Sequence, residues 1–516
     1  MVVNETSPPV KPTVRDDDSY FQTEHLKTDL GGRTVRGGAI TFITQGLKFL
    51  ISMVGTVILA RLLTPQDYGL IGMVAVIIGF ISIFKDLGLS SATIQRAEIN
   101  SAQISTLFWI NVLLSVMVMV VCIAMSPLVV LFYHEQRLLS VTAVYGIGFL
   151  LGGLTVQHEA LLRRQMRFSA LAFAEILALV ASVVTAITLG WYGFGYWALV
   201  TSQLSLNLVY LIAMWVFCTW RPSLPSRNTG VRSMLFFGGN LTGFSVINYF
   251  ARNLDNLLIG KVWGSQQLGF YAKAYQLLLL PIDQINSPIS AVAVPALSRL
   301  ADSPERYRHA YMRIMEKVAI LTMPTVAFMM ATSDWMVRIV LGPQWAQASI
   351  IFALLGIAGL VQPVAGTTGW LFITQNRTRH MFYWGIIASS IVMASIVAGI
   401  AWGSIGVATS YSLTFLLIIA PLLFWYVGRE GPVRIRDFYL AIAPAATAAI
   451  LVLAALLGFR SLIRIENPFV GIAVSLGIGT VVTFLALLIS HRGRNALLDF
   501  KNSAALLLQG RFTKPA

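Results

Sequence analysis

The sequence predicts an all-α polytopic membrane protein of about 14 transmembrane helices. They form two pseudo-symmetric six-helix lobes in a parallel repeat plus two extra C-terminal helices, with both termini cytoplasmic. Three observations predict this. The 516 residues are 56% hydrophobic and only 11% charged, against about 25% charge in soluble domains. Apolar runs near the 20 residues needed to cross a bilayer recur along the chain. The basic residues punctuate those runs in strict alternation, as the positive-inside rule requires.

The chain reads in order as follows. Residues 1–36, with Pro8, Pro9, Pro12 and Asp16–Asp18, have little to bury and are expected to be a disordered cytoplasmic leader without signal-peptide character. Helices are predicted at 38–60, 68–90, 106–132, 138–160, 168–190 and 194–219, forming an N-lobe over 37–220. A Pro- and Ser-rich cytoplasmic connector, 221–233, follows. A C-lobe over 234–428 holds predicted helices 234–260, 267–296, 312–333, 346–374, 380–401 and 404–427. Two further helices, 438–458 and 468–490, occupy 429–490, and 491–516 is a basic, leucine-containing cytoplasmic tail. Pro127, Pro281, Pro288 and Pro363 predict kinks.

With the N-terminus inside, 27 of the 37 Lys and Arg residues fall on the inner side and six on the outer, and one missed span would scramble that pattern. A repeat accompanies it. Arg61, Gln66 and Gly69 match Lys261, Gln266 and Gly269 without a gap, and Gln165 and Gly195 match Gln375 and Gly406. Six spans per copy return the chain to its starting side, so both copies point the same way.

The net charge of +15 follows topology rather than a nucleic-acid footprint. Cys122 and Cys218 lie in apolar runs and form no disulfide framework. No Walker A, Rossmann, HExxH or GxSxG pattern is present, so no cofactor, metal or catalytic residue is expected. The six histidines, His25, His134, His158, His309, His380 and His491, are expected at interfaces or in solvent.

Four cations fall within predicted spans: Lys48, Lys85, Arg252 and Lys273. A charge at the bilayer centre costs roughly 2.5–3.5 kcal/mol on insertion scales, so such residues face a wet cavity or a partner. Asn248, Arg252 and Asp255 share one helix face. Two readings stand for Arg252 and Asp255: they line a cavity, or they neutralise each other at i,i+3. For the lysines the alternative is snorkelling to the interface. Asp86, Asp255 and Asp283 are candidate coupling or salt-bridge-switch residues, and Glu175 is a further acidic neighbour. A cavity with surplus positive charge suits an anionic cargo such as phosphate.

The stretches ILARLLTPQDYGLIGMV (58–74), FKDLGLSSATIQR (84–96), EALLRRQMRF (159–168) and FARNLDNLLIGKVWGSQQLGFYAKAYQLLLLP (250–281) resemble the polysaccharide-transport flippases. These are the Wzx/WzxC-type branch of the multidrug/oligosaccharidyl-lipid/polysaccharide exporter superfamily. The resemblance implies an exporter, not an enzyme, in the bacterial inner membrane. Its cargo would be an undecaprenyl-diphosphate-linked oligosaccharide for exopolysaccharide, capsule or O-antigen assembly, moved by alternating access. It further implies that cavity cations hold the diphosphate and sugar acids. The positions that fit are Lys48, Arg252 and Lys273, joined by Lys85 and Asn248, with Asp255 as a coupling residue. Membrane lipids and the polymerase and export machinery are the expected partners. Two rivals stand beside this reading. One is a multidrug/cation antiporter of the same superfamily, which needs an acidic or apolar cavity. The other is a membrane polymerase or ligase of lipid-linked sugars, which needs a larger extramembrane loop.

Overall fold

A computed structural model describes residues 21, 30–83, 90, 93–94, 99–226, 232–495 and 498–499, with side chains at 30–35, 232–248 and 250–252 outside the description. Every regular element among the described residues is helical, and twelve stretches are long and apolar enough to cross a membrane. The chain divides into two compact units. The first takes residues 1–62 and 74–249, the second 63–73 and 250–516.

The first unit is built on α1 (Leu30–Leu62), the later part of α2 (Pro65–Ser82), α3 (Ser101–Tyr133), α4 (Leu138–Gly153), α5 (Val156–Arg164), α6 (Phe168–Trp191) and α7 (Tyr196–Phe217). The predicted single helix 138–160 is two helices, because the chain bends at Leu154 and Thr155 before restarting. Asn100 caps α3 through a capping box with Gln103, which starts that helix five residues earlier than its apolar run. Helices α1 and α6 run parallel. Lys48 meets Glu175, the site of Gly55 meets Val183, and Leu59 and Leu62 lie near Gly190. At one end of this unit, Phe108, Leu161, Leu162, Cys218 and Trp220 close a core.

The second unit contains the start of α2 and most of α8 (Arg232–Ser298), then α9 (Pro304–Ala331), α10 (Ser333–Val340), α11 (Ala346–Gly366), α12 (Thr368–Thr374), α13 (Thr378–Gly399), α14 (Gly403–Thr414), α15 (Ala420–Gly428), α16 (Ile435–Leu462) and α17 (Pro468–Ile489). Two long apolar stretches are broken at glycine. Gly264 (φ 79°) interrupts α8, and Gly403 (φ 74°) follows a 3₁₀ turn after α13. Both φ values lie where a Cβ is strained. A π-helical turn, Phe415–Ile419, joins α14 to α15. Helices α9 and α16 run parallel. Arg308 binds Asp437, Tyr311 packs on Phe438, and at the other end Arg460 reaches Asp334. Their apolar faces, with Phe372, Phe424 and Val364, make the largest core. The predicted helix 312–333 begins earlier, at Pro304, with proline in the first turn where its missing N–H costs nothing.

Candidate functional site

In each unit one cluster of polar side chains gathers around sequence-predicted charges. In the first unit Lys48 does not reach open space alone, because its Nζ donates to Glu175 Oε2 at 2.8 Å. The two side chains are 31% and 26% exposed, so the pair is neither sealed nor fully solvated. Glu159 and Arg163, one turn apart on α5, form a second pair at 2.8 Å. Tyr210 of α7 donates to Glu159 and interacts electrostatically with Glu175 and Arg163. Two cations and two carboxylates therefore balance across three helices, with Tyr210 added from a fourth.

The second unit gathers a different set. Asp255 is buried, with Oδ2 accepting from the Tyr271 hydroxyl at 2.9 Å and Oδ1 from the Asn256 amide at 2.8 Å. Tyr275 lies beside Tyr271, their ring centroids 6.2 Å apart, and interacts with Tyr411. The Tyr411 hydroxyl accepts from Gln362 at 2.5 Å. A buried carboxylate is tolerable where hydroxyl and amide donors replace its water. Lys273 lies two residues past Tyr271, with Nζ 4.1 Å from the Tyr68 ring centroid and bonded to Gln276 at 3.0 Å. Among the described residues no carboxylate pairs with Lys273.

Of the other sequence-predicted residues, Asp283 is exposed. Lys85 and Asp86 lie outside the described residues, as do the side chains of Asn248 and Arg252. The choice between a cavity-lining Arg252 and an Arg252–Asp255 pair therefore lies outside the description as well. One expectation is corrected. His158 is not at an interface but fully buried, stacked on Trp215 at 4.7 Å and edged by Trp220 at 5.3 Å and Phe108 at 5.9 Å. Its cage comes from residues some fifty positions away on either side, beyond any local pattern. The sequence carries no signal for Tyr411, Gln362 and Tyr68, since each is an ordinary helix residue until its neighbour is placed.

Two matched motifs have matched structure. A Cβ at Gly69 would overlap the carbonyl oxygen of Ser265, and one at Gly269 would overlap that of Pro65. Gly269 stands to Pro65 as Gly69 stands to Ser265, so the contact is reciprocal. The turns at Gln165 and Gln375 are also alike. Each ends a short helix and is followed by a left-handed residue, Met166 (φ 53°) or Asn376 (φ 55°). The next amide then bonds five residues back, Arg167 to Leu162 at 2.9 Å and Arg377 to Phe372 at 2.7 Å. Both arginine side chains reach a carbonyl at the end of a later helix, Phe217 and Glu430 respectively.

Among the described residues no three His, Cys, Asp or Glu side chains converge as a metal-binding group.

The chain is 26% identical over 403 residues to the lipopolysaccharide biosynthesis protein WzxC of Escherichia coli, covering 77% of this chain and 80% of that one. It is 26% identical to the teichuronic acid biosynthesis protein TuaB of Bacillus subtilis, covering 63% and 68%. The fold matches that of the lipid II flippase MurJ in an inward closed conformation, with a TM-score of 0.70 at 13% identity over 89% of this chain and 99% of that one. It also matches an inward-facing multidrug resistance MATE transporter of the MOP superfamily, with a TM-score of 0.55 at 14% identity over 79% and 95%. Residues 58–350 match the family described as polysaccharide biosynthesis protein. With more than half its length inside that family, this multi-pass membrane chain belongs to the polysaccharide biosynthesis proteins, the polysaccharide-transport branch that its motifs resemble.

Proposed function

We propose that this protein moves undecaprenyl-diphosphate-linked oligosaccharide units from the cytoplasmic to the outer face of the bacterial inner membrane by alternating access. The units feed exopolysaccharide, capsule or O-antigen assembly, alongside a polymerase and export machinery. The observation that carries this reading is Lys273, an intramembrane cation held by a tyrosine face and an amide rather than by a carboxylate. A tyrosine face steadies an ammonium without cancelling its charge, so Lys273 keeps its charge for an anion. Arg252, Lys48, Lys85 and Asn248 join it as substrate-binding groups in this reading. The relatives' names point the same way, to lipopolysaccharide and teichuronic acid biosynthesis and, in Rhizobium meliloti, to succinoglycan transport.

The architecture in this reading is fourteen spans, two sextets and two more. Four features support it: the glycine breaks that divide the two longest apolar stretches, the reciprocal Gly69–Gly269 contacts, the twin turns at Gln165 and Gln375, and the parallel packing of α1 with α6 and α9 with α16. Parallel neighbours need an odd number of crossings between them, as alternation provides. Asp255 is the candidate coupling residue, because the donors that meet its carboxylate among the described residues, the Tyr271 hydroxyl and the Asn256 amide, are neutral and leave it able to take up a proton or cation. Asp86 and Asp283 are assigned the same role on sequence alone.

Polymer export in a strain lacking its own gene tests the reading. Lys273→Ala, present at normal level in the membrane, is expected to abolish export. Full export by that variant, or drug resistance conferred by the wild type without export, refutes it.

A further inference from the structure

We propose that Glu175 is an internal stand-in for the anionic headgroup, holding Lys48 when the transporter is empty and yielding it when the diphosphate arrives. This inference rests on the function proposed above. The Lys48–Glu175 contact is direct, at 2.8 Å, and joins α1 to α6 within two helices long and apolar enough to span a membrane. A lysine there needs a counter-charge at every stage of a transport cycle. With the headgroup bound, the diphosphate supplies it. With the site empty, something in the protein must, and Glu175 is the carboxylate in contact.

Three features distinguish an exchangeable pair from a structural strut. Both side chains keep roughly a quarter to a third of their surface exposed, so a ligand can approach without unpacking the helices. Glu175 has an alternative setting, because Tyr210 and Arg163 already interact with it from α7 and α5. Moving toward them leaves Lys48 free without stranding a bare carboxylate. The group is also neutral as it stands, with Lys48 and Arg163 balancing Glu175 and Glu159. An anion therefore gains Lys48 only by displacing Glu175, whereas a neutral headgroup cannot displace it at all. After reorientation the same competition works in reverse. Glu175 closes on Lys48 and helps eject the diphosphate, so the pair limits affinity while it favours release. Glu175 is thus a specificity-determining and positioning residue that acts through Lys48.

The measurement is binding of undecaprenyl diphosphate to the purified full-length protein in detergent, with undecaprenol as the uncharged control, followed by turnover of lipid-linked oligosaccharide in reconstituted vesicles. Glu175→Gln is expected to bind undecaprenyl diphosphate about fivefold tighter, the scale of one partly solvated ion pair, and to turn over more slowly. Lys48→Gln weakens binding, and adding Glu175→Gln to it changes nothing further. Glu175→Asp, which keeps the charge on a shorter arm, falls between Glu175→Gln and wild type and serves if the glutamine variant does not fold. Wild-type binding with unchanged or weaker binding by Glu175→Gln overturns the exchange but leaves the flippase reading standing. Failure of the wild type to prefer undecaprenyl diphosphate over undecaprenol sinks that reading and this inference with it.

Discussion

Alanine at Gly69 or Gly269 gives the sharpest test of the helix crossing on which the matched motifs meet. Each added Cβ would land on a backbone carbonyl, far inside the 3.0 Å that real Cβ atoms keep, and the Gly269 Cβ would also sit 3.2 Å from the Gly69 amide nitrogen. Backbone cannot rotate aside as a side chain can, so the start of α2 and the middle of α8 must separate by about 1 Å. Around the crossing Leu70, Leu268 and Trp345 are fully buried. A gap of 0.5–1 Å already forfeits a quarter to a half of each contact's dispersion energy. Overpacking of this kind costs typically 1–3 kcal/mol, and the rigid contact here places each variant near about 3 kcal/mol. Because both substitutions open the same crossing, the double variant should cost little more than either single one, a coupling of about 2 kcal/mol or more. Gly72→Ala is the control, since its Cβ meets only a Leu268 methyl at 3.2 Å. Denaturant unfolding of purified protein reads all four. Single variants as mild as Gly72→Ala, or a double variant whose cost is the sum of the singles, would refute the reciprocal crossing.

Other outcomes follow from the same geometry. If Asp255 couples export as proposed, Asp255→Asn should retain membrane level yet lose the dependence of export on an imposed ion gradient, measured in vesicles, because the amide neither titrates nor supplies a counter-charge. Arg460→Ala removes the Asp334 contacts at 2.6 and 2.8 Å, a bond to the Ala331 carbonyl and the stacking of Arg460 4.1 Å above Trp335. It should lower stability by about 2 kcal/mol with little effect on headgroup binding. In the loop between α3 and α4, the hydrogen bond from Arg137 holds the Glu135 carboxyl below its ordinary value of 4.5. A depressed carboxylate stabilises fully above its unfolded pKa and loses that contribution as pH falls through the lower folded value. Arg137→Ala should therefore cost less than about 1 kcal/mol at neutral pH and nothing below the folded pKa, as acid titration of stability will show.

The fold class was legible because a membrane enforces it. Helices must run long and apolar, and Lys and Arg must sort to one side. The matched motifs were legible at Gly69 and Gly269 because backbone contact leaves room for nothing larger. At Gln165 and Gln375 a few matched letters marked a whole turn, including Arg167 and Arg377. The site was legible only in part. Insertion cost singled out Lys48, Lys273 and Asp255 as charges needing an explanation, but it could not say which partner supplied it. Tyr271 and Tyr68 look like packing residues along their own helices, and His158 looked interfacial until Trp215 and Trp220 closed over it.

The partners set the two described intramembrane cations apart. Lys48 is matched by a carboxylate within its own unit, so attracting an anion requires that pair to open, and its contribution to affinity is the difference between two similar contacts. Lys273 faces an aromatic ring and an amide, neither of which cancels its charge, so its contribution is the larger. In the proposed function the first cation serves release and the second capture. Both are needed there, since cations of the second kind alone would bind the cargo and keep it. The ratio of the two effects is measurable: Lys273→Ala should weaken undecaprenyl diphosphate binding more than Lys48→Ala does, while Glu175→Gln should slow turnover without weakening binding. Equal losses at the two lysines would show that carboxylate pairing does not set their roles.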